Sequence, residues 1–117
     1  MITVVVTRGS RGNLVSASAS GHAGMGKRGT DIVCSAATIL LRTTMTVLAG
    51  KAGKNSGSTP VTEVKTAGRG ELAFRVTVFA EADIPLLQYA ADFLLEGLSS
   101  LAGEYPEALG LKELLEE

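Results

Sequence analysis

From Ile32 to Val47 the chain carries one charged residue, Arg42, and apolar side chains occupy most sides of the helix this run would form. A helix of that kind has to be covered. In 117 residues with three Phe, two Tyr and no Trp, the cover must come from aliphatic strands and from a second helix in the same domain. Thr30 or Asp31 offers an N-cap. The helix is expected to run to about Ala49, with Gly50 and Gly53 as stops, and to be the central, largely buried element. The apolar run is broken by Arg42 and by several Thr and Ser, and it reads as too short to span a bilayer.

The flanking segments supply the strands. Ile2 to Thr7 is β-branched throughout, and Arg8 to Asn13 is a turn rich in residues that tolerate positive φ. Leu14 to Ser20 alternates, with Val15, Ala17 and Ala19 on one side and Ser16, Ser18 and Ser20 on the other. After the polar loop Lys51 to Pro60, two more alternating runs, Val61 to Thr66 and Glu71 to Phe79, are joined by Ala67-Gly68-Arg69-Gly70, a hairpin connection. Asp83 is placed to cap a second helix with Pro85 in its first turn. Leu87, Ala91, Leu94, Leu98 and Leu101 give that helix an apolar face. Pro106 ends it, and Glu107 to Glu117 reads as a short acidic helix. The order ββαββα predicts one α+β domain over residues 1–117. Its sheet is expected to be four-stranded and mostly antiparallel, with helices packed on one face.

The composition narrows the function classes. A net charge of −1 argues against a nucleic-acid surface. A single Cys forms no internal disulfide and suits a reducing compartment. Met1 leads directly into a strand with no basic region ahead of an apolar one, so no signal peptide is read. The expectation is a cytoplasmic protein that binds neither nucleic acid nor membrane. A slightly positive mean hydropathy in so small a chain hints at apolar surface hidden between copies.

Chemistry concentrates in the segment from Gly21 to Cys34. It holds the only His and the only Cys, His22 and Cys34, around four glycines, Gly21, Gly24, Gly26 and Gly29. A thiolate is a nucleophile, and an imidazole can take its proton and return it to a leaving group. Cys34 is expected in the first turn of its helix, where unpaired N–H groups and the helix dipole favour an anion. The alternative is a small apolar core residue. His22 follows a strand, and the glycine-rich loop returns the chain to the helix start, so the two side chains can meet. The loop is expected to act as a flexible lid. Asp31 has two readings: a helix-capping acid, or a residue that orients His22 or contacts substrate. Lys27 and Arg28 would support the thiolate, clamp an acidic ligand, or merely tip a solvated loop. One His and one Cys are too few ligands for a zinc site, and no metal or cofactor is expected. Two non-proteolytic readings stand beside catalysis: a thiol-based redox sensor, disfavoured by the lack of a second cysteine, and a non-enzymatic ribosome-associated module.

The segment Gly21-His22-Ala23-Gly24, then Gly29, then Asp31-Ile32-Val33-Cys34 followed by Ser35, Ala36 and Ala37, resembles the ribosomal-processing cysteine proteases of the Prp family. The likeness extends over the whole chain in length and element order. Met25 stands where an aromatic residue is expected in many members. The resemblance implies a bacterial cytoplasmic endopeptidase with Cys34 as nucleophile and His22 as proton donor and acceptor. Its implied substrate is the N-terminal extension of a large-subunit ribosomal protein precursor, the twenty-seventh, and its implied assembly is a homodimer.

Overall fold

The computed structural model describes residues 2–21, 30–53, 60–66 and 71–116. The elements are β1 (Ile2–Gly9), β2 (Leu14–Ser20), α1 (Thr30–Gly53), β3 (Val61–Thr66), β4 (Glu71–Val78), α2 (Ile84–Glu104) and β5 (Leu109–Glu116), with a 3-10 turn at Glu81–Asp83. The five strands form one mixed sheet in the order β3-β4-β2-β1-β5. The fold is α+β as expected, but the sheet has five strands and the element order ends in a strand.

The correction lies at the C-terminus. Glu107 to Glu117 is not a helix: Leu109–Glu116 pairs in parallel with β1, from Ile2↔Leu109 to Gly9↔Glu116. Leu, Lys and Glu favour a helix locally, but a helix there would leave the backbone of β1 unpaired along that edge. Pairing satisfies it. It also puts Leu109 in the core at 2% exposure and packs Leu111 against the core. The remaining pairs, β1–β2, β2–β4 and β3–β4, are antiparallel. Both helices are therefore crossovers: α1 carries the chain from β2 past β4 to β3, and α2 carries it from β4 past β2 and β1 to β5.

Both helices cover the same sheet face. Val4 and Val6 of β1, Ala17 of β2, and Leu72, Phe74 and Val76 of β4 meet Val33, Ala37, Leu41 and Leu48 of α1 and Leu87, Ala91, Leu94 and Leu98 of α2. The Ser16, Ser18 and Ser20 side of β2 lies on the other face, as its alternation predicts. Val15 does not share the core side with Ala17. The β1–β2 register shifts between Thr7↔Ser16 and Arg8↔Leu14, leaving Val15 as the extra residue of a bulge, and Leu14 is the fully buried one.

The bulge also aims Arg8 at α2. Its guanidinium donates to the Gly12 carbonyl at 3.0 Å and pairs with Asp92 at 2.8 Å. Gly12 takes φ +78°, a left-handed conformation, and a Cβ there would come within 3.3 Å of the Arg8 guanidinium. Gly12→Ala is expected to lower stability by about 1 kcal/mol, read as a lower urea midpoint at unchanged slope. Gly12→Asn should lose less, because Asn tolerates this region better. Equal losses for the two would mean that the Arg8 contact, not the backbone angle, sets the effect.

α1 departs from its expected role in two ways. It passes through Gly50 to Gly53, so neither Ala49 nor Gly50 ends it. It is also not buried on most sides. The inward stripe is Val33, Ala37, Leu41, Thr44 and Leu48, while Ile32, Ile39 and Val47 point outward. The span Ile32–Gly50 is long and apolar enough, by length and composition, to cross a membrane, and 28% of it is buried. This corrects the reading that the run is too short. Asp83 precedes α2 as its N-cap with Pro85 behind it, but the cap bond expected of its side chain is not made to α2. Its carboxylate accepts from the Ala80 N–H at 2.9 Å instead, closing the 3-10 turn.

Candidate active site

The approach to the site begins at the end of β2. Ser20 pairs with Thr3 on one side and Glu71 on the other, so the strand is held in mid-sheet up to its last residue. Gly21 follows with φ +100°, a conformation that L side chains rarely adopt. This is the first glycine of the loop, and here its lack of a side chain turns the chain out of the sheet. His22, Gly24, Gly26 and Gly29, with Met25, Lys27 and Arg28 between them, lie outside the described residues. The expected meeting of His22 with Cys34 and the expected lid therefore have no geometry to report.

The chain re-enters at Thr30, where α1 starts. Asp31 is the second residue of the helix by backbone position, and its side chain lies outside what is described. Cys34 is the fifth residue of α1 and so opens the second turn rather than sitting in the first. It remains within one turn of the free N–H groups at the helix start. Its thiol is free, half-buried and packed against the core beside fully buried Val33 and Ala37. Cys34 thus combines features of both sequence readings. The core holds its Cβ in place, while the side chain keeps some exposure at a helix start.

The sheet and α1 explain why these residues come together in the chain. β2 lies in the centre of the sheet and α1 packs back over β2, β3 and β4. A strand end and a helix start are thereby brought to the same end of the domain, separated only by residues 22–29. Among the described residues, no group of three or more His, Cys, Asp or Glu could hold a metal ion. One feature had no counterpart in the sequence reading: a seam of hollows between α1 and α2 on the outside of the helix layer. The sequence signal for it was the spacing of Ile32, Ile39 and Val47, which fall away from the Val33, Ala37, Leu41 stripe.

The model of the cysteine protease Prp family matches residues 1–110, nearly the whole chain and all of the segment from Gly21 to Cys34. The chain belongs to the cysteine protease Prp family. It is accordingly an enzyme, a cysteine protease, and its family's process is ribosomal-protein processing. Among solved structures it is similar to SMU.848 from Streptococcus mutans, with 26% identity, 99% of this chain and 96% of that chain covered, and a TM-score of 0.74. It is also similar to the essential ribosomal processing protease Prp from S. aureus in complex with a substrate peptide, and to the same protease with a covalently linked product peptide. For each of these the identity is 24%, the coverage 97% of this chain and 99% of that chain, and the TM-score 0.73. At those identities the S. aureus structures establish the shared fold, and membership rests on the family model. Comparison with curated proteins gives no match.

Proposed function

We propose that this Prp-family protease removes the N-terminal extension of a large-subunit ribosomal protein precursor, the twenty-seventh, using Cys34 as nucleophile and His22 as acid and base. The observation that carries the proposal is the family match across residues 1–110, which spans both groups. The free thiol near the start of α1 supports it. So does the S. aureus protease of the same fold, which has been seen with a substrate peptide and with a covalently linked product peptide.

The chemistry balances with these two side chains and water. The Cys34 sulfur attacks the scissile carbonyl carbon after His22 takes its proton. Backbone N–H groups at the start of α1 are the donors available to the oxyanion. The C–N bond breaks as His22 returns the proton to the leaving amine, and a thioester remains. Water, giving a proton to His22, attacks the thioester, and the thiol leaves with that proton, releasing the new carboxyl end of the extension. Gly21, Gly24, Gly26 and Gly29 serve a loop that closes over an extended peptide and excludes water during the first step. No cofactor or metal enters this scheme. The enzyme works in the cytoplasm on its peptide substrate, as a homodimer, without nucleic acid or membrane.

The test is a peptide matching the N-terminal region of the precursor, incubated with the purified protein and read by mass spectrometry. Cleavage at one bond is expected, and no cleavage of this or any precursor peptide would end the substrate assignment. Asp31→Asn separates the two readings of that residue. Asn caps a helix about as well as Asp, so the variant keeps the helix start and loses only the charge. Orientation of His22 by Asp31 predicts a fall in kcat of at least about tenfold at unchanged stability. A change smaller than twofold assigns Asp31 to the helix alone.

A further inference from the structure

The outer side of the helix layer carries an unusual amount of uncovered apolar surface. α1 exposes Ile32, Ile39 and Val47 at 62%, 59% and 57%. α2 adds Tyr89 at 70% and Phe93 at 46%, with their rings stacked 6.3 Å apart. Single exposed apolar residues are ordinary, but five on one layer are not. Between them run three hollows along the α1/α2 seam, of about 550, 450 and 220 Å³.

The charges on this layer are divided between the helices. From residue 32 to residue 50, Arg42 is the only charged residue of α1, and it is exposed. α2 carries Asp92, Glu96 and Glu104 and no Lys or Arg. Asp92 is engaged by Arg8, whereas Glu96 is exposed with no ion pair among the described residues. A surface that is basic on one helix and acidic on its neighbour contains its own complement. That is the requirement for a two-fold interface.

The heights of these residues along the seam agree. The helices run antiparallel, with Ser35 and Ala36 lining a hollow with Leu101 and Glu104, and Thr44 and Leu48 lining one with Leu86 and Ala90. Leu40 stands opposite Gly97, where a Cβ would come within 3.0 Å of its Cδ1. Arg42 and Glu96 are therefore level to within about one residue's rise, roughly 1.5 Å. A two-fold axis laid along the seam preserves height and exchanges the helices. It places α1 of one copy over α2 of the other and Arg42 beside the partner's Glu96, twice. The same operation brings the Tyr89–Phe93 pair onto α1 of the second copy at the level of Thr43 and Val47.

We propose that the outer face of α1 and α2 is the interface between two copies of this chain, with Arg42 of each copy paired to Glu96 of the other. The inference rests on the homodimer reading above and adds the face and the pairing. It also keeps the thiol clear. Cys34 and Ala36 are about 200° apart around α1, so the seam and the nucleophile occupy opposite flanks of the helix.

Sedimentation velocity on the full chain, over a dilution series from micromolar down, tests it. Wild type is expected near twice 12.1 kDa. Arg42→Glu and Glu96→Arg should each raise the dimer dissociation constant roughly tenfold or more, since each places two like-charged pairs in the interface. The doubly exchanged protein should recover most of the loss. Ile39→Asp, an exposed position that the monomer fold does not need, should give a folded monomer. A dimer unaffected by both single exchanges overturns the face while leaving a homodimer standing, and failure of the double exchange to recover overturns the pairing. A wild-type monomer overturns the dimer and this face together. If that monomer floats with phosphatidylglycerol vesicles, the apolar face belongs to a membrane. Peptide cleavage measured on the same samples keeps the outcomes apart, because an intact dimer that cleaves nothing counts against the protease substrate and not against the interface.

Discussion

Cys34→Ala is expected to lower precursor-peptide cleavage by on the order of 10⁴-fold or more while leaving the protein folded. The magnitude follows from the chemistry, since without the sulfur there is no thioester route and no other thiol in the chain to replace it. The fold should survive because Cys34 is half-buried at one end of α1, and Ala is the best helix former. His22→Ala should cost a similar factor, and the double variant should be little worse than either single one, because nucleophile and proton carrier act as a unit. Additive losses would mean that the two residues work in separate steps. Wild-type cleavage by Cys34→Ala would remove the nucleophile assignment altogether. Circular dichroism and urea midpoints of the variants distinguish lost chemistry from lost structure.

Phe74→Ala should unfold the domain more readily than any exposed substitution, by about 3–5 kcal/mol. Phe74 is 1% exposed and is the largest fully buried side chain among the described residues. It lies on β4 between Ala17 of β2 and Val64 of β3, and its small neighbour Ala17 has little volume with which to fill the space. The strands around it are paired on both sides, so the backbone cannot collapse easily into the cavity. For a domain whose total stability is about 5–15 kcal/mol, the loss would be a large fraction of the whole. Guanidinium unfolding at unchanged slope is the measurement. A loss below about 1 kcal/mol would show that the two helices do not close over β4 as tightly as the burial implies.

Much of the architecture could be read from local pattern. Leu14–Ser20 and Val61–Thr66 have the limits their alternation predicts, and α1 begins at the expected Thr30. The candidate chemistry was also legible, because a single His and a single Cys around four glycines leave few other choices. The bulge at Val15 was not, since alternation alone assigns Val15 and not Leu14 to the core. The direction of the error is informative. Each failure involves a residue whose environment is set by a partner distant in the chain.

What the sequence determined by itself was therefore whatever depends on period and on residue type: the first four strands, the two long helices, the helix start beneath Cys34, and the identity of the reactive groups. Only the tertiary structure decided the rest. Leu109–Glu116 has a helical composition, yet it is a strand because β1, more than a hundred residues earlier, offers an unpaired edge and a place for Leu109. α1 is apolar on most sides, yet only one stripe of it is covered, because a sheet and one neighbouring helix can shield only the sides they touch. Hydrogen-bond satisfaction along a sheet edge and the limited cover available to one helix are properties of the assembled fold, and no local window of sequence contains them.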